Sequence, residues 1–209
     1  MLHSETLIYA LLGLPLVASL GVLLLRKWPN LRDGQAVLIG LLTAACAIEF
    51  FARGADGTSL TLLAMTPSLS ISFTPEPLGL LFALVAGCLW PLATVYTISY
   101  LRGAHEDNQT CFMFFYAIAI HAAMAIALSG NLLTLFVFYE ILTFSTYPLV
   151  THKGTEDARQ AGRVYLGILV ASSVVFLLFG IIGVWVIAGT LDFTAGGILA
   201  GKIDSIYVP

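Results

Sequence analysis

Polar residues interrupt this chain in clusters, and between the clusters lie six apolar runs, at about 7–25, 35–52, 78–100, 111–128, 131–150 and 162–188. A helix rises 1.5 Å per residue, so runs of about twenty residues match a hydrocarbon core of about 30 Å. The first run ends at Arg26, Lys27, Trp28 and Pro29; Trp28 reads as an interfacial anchor and Pro29 as a stop. Residues 30–34 read as a short polar turn. Trp90 and Pro91 fall within the third run and predict a kink there. Between the fourth and fifth runs, Ser129 to Asn131 leaves room only for a tight turn, which makes those helices antiparallel neighbours. Residues 151–160, THKGTEDARQ, read as a charged loop before the sixth run.

One stretch breaks the helical pattern. Between Gly54 and Pro77, Ser68, Ser70 and Ser72 alternate with Leu69, Ile71 and Phe73, a period of two that predicts a strand. Leu60 to Leu63 supplies a partner strand, with Met65 to Pro67 as the turn. The unpaired edges of such a hairpin exclude it from lipid. The fold class is therefore all-α integral membrane protein, with about six transmembrane helices and a small extramembrane β-hairpin between helices 2 and 3. Residues 1–209 read as a single membrane domain.

Composition agrees: 59% of residues are hydrophobic and 10% charged, against about 25% charged in soluble proteins. The first run has no basic leader and no small-residue cleavage site, so it reads as a retained helix rather than a signal peptide. Cys46, Cys88 and Cys111 share no close spacing and read as small hydrophobes, not as a disulfide or metal set. Phosphate-binding glycine loops, zinc spacings and basic nucleic-acid stripes are missing from the sequence, so no cofactor and no nucleic-acid partner is expected. Charge sets the orientation. Arg26, Lys27, Arg32, Arg102, Lys153, Arg159 and Arg163 fall on one side of the six spans, and only Arg53 and Lys202 on the other. The positive-inside rule then puts both termini outside the cytoplasm of the cell's inner (plasma) membrane.

Candidate chemistry centres on Glu140, the one carboxylate within NLLTLFVFYEILTFSTYPLV. It falls near the bilayer midplane, where an ionisable group costs several kcal/mol unless neutral, paired or wet. A lipid-facing helix needs no such residue, so Glu140 reads as a proton, ion or substrate group; the plainer alternative is a protonated carboxyl bonded to a neighbouring helix. His121 lies ten residues before Asn131 and Glu140 nine after it, so the two share a depth. They form either a proton relay or, for His121, an ordinary core histidine bonded to a carbonyl. Phe136, Glu140, Thr143 and Tyr147 share one helix face, on which Thr143 and Tyr147 either hold a water chain or bond neighbouring helices. Ser172 and Ser173 invite the same two readings, and Arg163 is a nearby cation able to snorkel toward Glu140.

Those residues carry a resemblance. GNLLTLFVFYEILTFSTYPLV resembles the helix bearing the essential glutamate of antiporter-like subunits, a family shared by respiratory complex I, Mrp-type multisubunit sodium/proton antiporters and membrane-bound hydrogenases. ISFTPEPLGLLFALVAG resembles the family's third helix at its start, with Glu76 where aspartate is common, and YTISYL resembles that helix's end. RVYLGILVASSVVFLLFG resembles the sixth helix, and FYEILTFSTYPLVTHKGT looks most like the D-type member of the antiporter branch. The resemblance implies about fourteen helices in two inverted repeats, with the glutamate paired to a lysine on helix 7. The present sequence stops before any helix 7, and reads as the N-terminal half of such a protein, either a fragment or one product of a split gene.

The expected function is thus proton or cation translocation within a multisubunit complex, most like the D-type component of Mrp antiporters, with Glu140 as proton carrier. Two alternatives stand beside it: a membrane-arm subunit of a complex I-like or hydrogenase oxidoreductase, and a non-conducting scaffold. Expected partners are the lipid bilayer, protons, Na+ as a candidate ion, and other membrane subunits, including one that supplies the later helices.

Overall fold

The computed structural model describes residues 3–66 and 69–202. Six helices are long and apolar enough to cross a membrane: α1 Ser4–Leu24, α2 Pro29–Arg53, α3 Pro77–Gly103, α4 Gln109–Ala127, α5 Leu132–Val150 and α6 Glu156–Ala188. A two-stranded antiparallel hairpin, β1 Leu60–Thr66 and β2 Leu69–Phe73, stands between α2 and α3. Both features match the sequence pattern. Pro67 and Ser68, assigned to the hairpin by that pattern, lie outside the described residues.

Helix ends differ from expectation in two places, for local reasons. Pro29 begins α2 instead of stopping α1, because proline's fixed φ suits the first helical position and its missing N–H is not needed there. The polar turn expected at 30–34 is therefore the first turn of α2. Likewise α6 starts at Glu156, inside the expected charged loop: Thr155 caps it by accepting the Ala158 N–H at 3.2 Å, and Glu156 and Asp157 favour the positive end of the helix dipole. Pro91 sits inside a continuous α3.

α1 packs on α2 and α4, α3 on α2 and α4, α5 on α4, and α6 on α5. Leu7, Ile8, Leu11 and Leu12 of α1 meet Ala47 and Phe50 of α2, Leu80 of α3, and Ala125 and Leu128 of α4. Lipid tails remove most of the hydrophobic drive for such packing, so close fit must supply it. Small residues permit that fit: a Cβ at Gly79 would collide with the Ala127 carbonyl oxygen, and one at Gly87 would lie 3.0 Å from the Ala47 Cβ. α6 is the outlier, with only 11% of its span buried, and its Ser173–Leu178 stretch winds as a π-helix.

The two ends of the bundle are built differently. At one end, β2 pairs with β1 on one edge and with the α4–α5 turn on the other. Gly130 donates its N–H to Ser72 O at 2.9 Å, and Thr74 donates to Leu128 O at 3.0 Å. Ile71 and Phe73 turn toward the helix core, while Ser70 and Ser72 face Asn131, whose Nδ2 donates to Ser70 O at 2.9 Å and to Ser72 Oγ at 2.7 Å. Asn131 Oδ1 in turn accepts the Thr134 N–H at 2.7 Å, capping α5. Residues 191–193 close over the same turn through Leu132 N to Leu191 O, 3.0 Å, and Phe193 N to Gly130 O, 3.1 Å. Nearby, Asp56 accepts from the Ser4 hydroxyl and from Thr58, which hold its carboxyl down at about 2. The other end carries the turns and loops at 25–28, 104–108 and 151–155, and seven of the nine Lys and Arg lie in or beside them.

Candidate functional site

Glu140 lies eight residues into α5, flanked on its own helix by Tyr139 and Ile141. Its Oε1 is buried and has no hydrogen-bond partner among the described residues. Buried polar atoms are normally satisfied, because leaving one bare costs about 1–3 kcal/mol. The carboxyl thus sits where the fold does not use it.

The neighbouring candidates arrange themselves around two faces of α5. His121 of α4 faces α1: its Nδ1–H donates to the Leu12 carbonyl at 2.8 Å, and its ring meets Phe138 of α5 edge-on at 5.6 Å. Phe138 also packs on Phe73, at 5.6 Å between ring centroids. Phe138 and Glu140 are two residues apart, about 200° around the helix. Glu140 is therefore turned away from the His121 contact, and no hydrogen bond or ion pair joins the two among the described residues. Equal depth follows from the tight turn; facing each other does not.

The second face meets α6. A Cβ at Gly162 would collide with the Thr151 methyl and lie 3.2 Å from the Tyr147 ring, so Tyr147 packs where the two helices cross. Thr146 Oγ1 lies 3.2 Å from Tyr165 Oη across the same crossing. Glu140 is seven residues before Tyr147 and shares its face. Thr143, between them, is buried. The face that carries Glu140, Thr143 and Tyr147 thus looks toward α6. Counting antiparallel from the Tyr147–Gly162 crossing, the level of Glu140 falls at about residue 169 of α6, an apolar stretch. Ser172 and Ser173 back-bond to their own helix, to Leu169 O at 2.9 Å and Val170 O at 3.0 Å. Arg163 pairs with Glu156 at 2.8 Å in an exposed bridge at the helix start.

Two charged groupings at the basic end were not anticipated. Asp33 is sandwiched by two arginines: Arg32 Nε donates to Oδ1 at 2.7 Å, and Arg102 donates to Oδ2 through Nε at 2.8 Å and through Nη2. Arg32 spends its other nitrogens on Thr110 Oγ1 at 3.0 Å and Gln109 Oε1 at 3.2 Å. Arg32 and Asp33 are 4% and 5% exposed, so this network ties α2, α3 and α4 together out of water. The second grouping is His152, between α5 and α6. It lies against Phe112 at 5.0 Å, with Nε2 3.9 Å from Glu106 Oε2.

No group of three or more His, Cys, Asp or Glu positioned to hold a metal occurs among the described residues.

Comparison with known proteins bears on the same region. Residues 129–202, which contain Glu140, match the family described as NADH:quinone oxidoreductase/Mrp antiporter, TM. Over 207 residues the chain is 21% identical to the "Putative antiporter subunit mnhA2" of Staphylococcus aureus, covering 96% of this chain and 25% of the relative. Over 121 residues it is 25% identical to the protein of that name from Staphylococcus haemolyticus, covering 58% of this chain and 15% of the relative. The chain spans a quarter or less of these relatives' length. In fold it is similar to a chain of the archaeal membrane-bound sulfane sulfur reductase, with TM-score 0.75 and 22% identity over 88% of this chain and 38% of that one. It is also similar to a chain of the Mrp complex from Dietzia sp. DQ12-45-1b, with TM-score 0.72 and 19% identity over 92% and 36%.

Proposed function

We propose that this chain, which is similar in sequence and fold to antiporter-like membrane subunits, forms the N-terminal half of a proton- or cation-translocating pathway in a multisubunit complex. Glu140 carries the proton. The observation behind this reading is the buried Oε1 without a partner. A buried carboxyl oxygen that bonds nothing does no work in helix association, and an ionisable group inside a membrane span is by default a functional one. By helix geometry Glu140 shares the α6-facing side of α5, and α6 itself is the least buried of the six spans. A cation from helices beyond this chain has room to approach there. Thr143 and Tyr147 continue the face toward the basic end and offer hydroxyls for a proton's path. Likeness to the D-type component rests on the helix 5 motif, whereas the curated relatives above bear the name of an A2 component. Na+ is a candidate for the coupled ion.

Carbodiimide chemistry tests the reading in the native complex. An apolar carbodiimide adds to a protonated carboxyl group away from water. It should block flux and modify Glu140, with labelling increasing as pH falls. Flux that persists with Glu140 fully modified would defeat the assignment.

A second reading, the membrane arm of an oxidoreductase, is supported by the fold shared with the sulfane sulfur reductase. The same carboxyl would then move its proton under redox drive.

The basic end faces the cytoplasm in this reading, and the hairpin lies outside. Cysteine at Ser59, exposed beside β1, should react with an impermeant thiol reagent in intact cells. Native Cys111, exposed at the opposite end, should react only after permeabilisation. The reverse pattern would invert the topology.

A further inference from the structure

We propose that the groove between α2 and α3 at the basic end seats the phosphate of an anionic diacyl lipid on Arg102. Asn30, Ser99 and Arg102 form the mouth of this groove, Asp33 its floor, and Val37, Val95 and Ile98 its wall. The charge count favours an anion. One carboxylate stands between two guanidinium groups, so the cluster keeps one positive charge. Arg32 is buried and spends all its nitrogens inside the bundle, which leaves the surplus on Arg102. The Arg102 side chain is 42% exposed, and its Nη1 has no partner among the described residues. A guanidinium with a free edge is the group best shaped to bind a phosphate.

The surroundings select a lipid over a free phosphate. Away from its mouth the groove becomes apolar, and beyond it Leu38, Leu41, Leu92 and Tyr96 face outward. Tyr96 and Tyr100 stack at 6.3 Å, both at least half exposed, as an aromatic pair suited to the headgroup level. Cationic at one end and apolar along its length, the groove repeats the order of a phospholipid, with the charge at the membrane surface. Soluble phosphate would gain nothing from the Val37, Val95 and Ile98 wall.

Native mass spectrometry of the full chain in neutral detergent tests this with phosphatidylglycerol and phosphatidylcholine. The wild type should retain phosphatidylglycerol in preference by about fivefold, the discrimination one basic residue supplies at an anionic surface. Arg102→Gln should abolish the preference. That change also strips Asp33 of a partner, so Val95→Trp, which fills the wall and leaves the ion pair intact, is the decisive variant and should abolish it too. Lys153→Gln, on an exposed loop at the same end, should leave it unchanged. Glycerol phosphate should fail to displace the lipid at equal concentration. Equal retention of the two lipids, persistence of the preference in Val95→Trp, or displacement by glycerol phosphate would overturn the proposal. A photoreactive residue at position 95 in the assembled complex should crosslink to lipid; a crosslink to another subunit would overturn it as well.

Discussion

Glu140→Gln should abolish proton flux in vesicles holding the assembled complex, while the subunit stays at its normal membrane level. The glutamine has nearly the same shape, and its amide oxygen can occupy the site of the orphan Oε1. Packing is preserved, and only the ability to bind and release a proton is lost. Proton transfer by a positioned side chain contributes about 10²–10⁴-fold to a rate, so flux should fall about 100-fold or to background. Glu140→Asp keeps the titrating group and shortens its reach, and should retain part of the flux. His121→Ala should cost less than Glu140→Gln, because His121 is bonded to the Leu12 carbonyl and meets α5 at Phe138, on the side away from Glu140. Wild-type flux in Glu140→Gln would end the proton-carrier reading. Normal flux per assembled complex with the subunit largely missing would favour the scaffold.

Loss of the Asp33 carboxylate should be the most damaging single change to the fold. Asp33→Ala leaves Arg32 buried at 4% exposure, facing Arg102 with no anion between them. Removing one member of a buried pair costs about 3–5 kcal/mol, a large share of the about 5–15 kcal/mol that holds a typical domain. Membrane abundance and thermal stability in detergent should both fall sharply. Glu156→Ala breaks only the exposed bridge to Arg163 and should cost about 0–1 kcal/mol. If the two variants unfold at the same temperature, the buried network contributes no more than a surface pair does.

These two residues differ in how far sequence alone reveals them. Glu140 stands out as a candidate because charge inside an apolar run is costly, and that cost is a local property of twenty residues. The hairpin was legible from a period of two, also local. Asp33 was not, since Arg32–Asp33 in a short polar stretch looks like solvated charge. Its burial depends on Arg102, 69 residues later, and Arg32's on Gln109, 77 later. The start of α2 was misjudged because proline serves both to end one helix and to begin another. Depth for His121 and Glu140 followed from the tight turn, but mutual orientation depends on helix rotation, which the turn length does not set. The polar segment after α6 gave no sign that residues 191–193 would pair with the α4–α5 turn.

That pairing has a mechanical consequence. The first residues of α5 are clasped between β2 and residues 191–193 by backbone bonds and by Asn131. α5 therefore cannot slide along its own axis, and Glu140 hangs about 13.5 Å below the clasp, nine residues at helical rise. When a bilayer is thicker or thinner than the apolar span, helices accommodate by tilt or by distorting the lipid. In this molecule the freely exposed α6 has room to absorb such mismatch, and α5 does not. The carboxyl thus keeps a fixed distance from the hairpin whatever the membrane's thickness, and under the proton-carrier proposal access from that side would be set by the protein and not by the lipid.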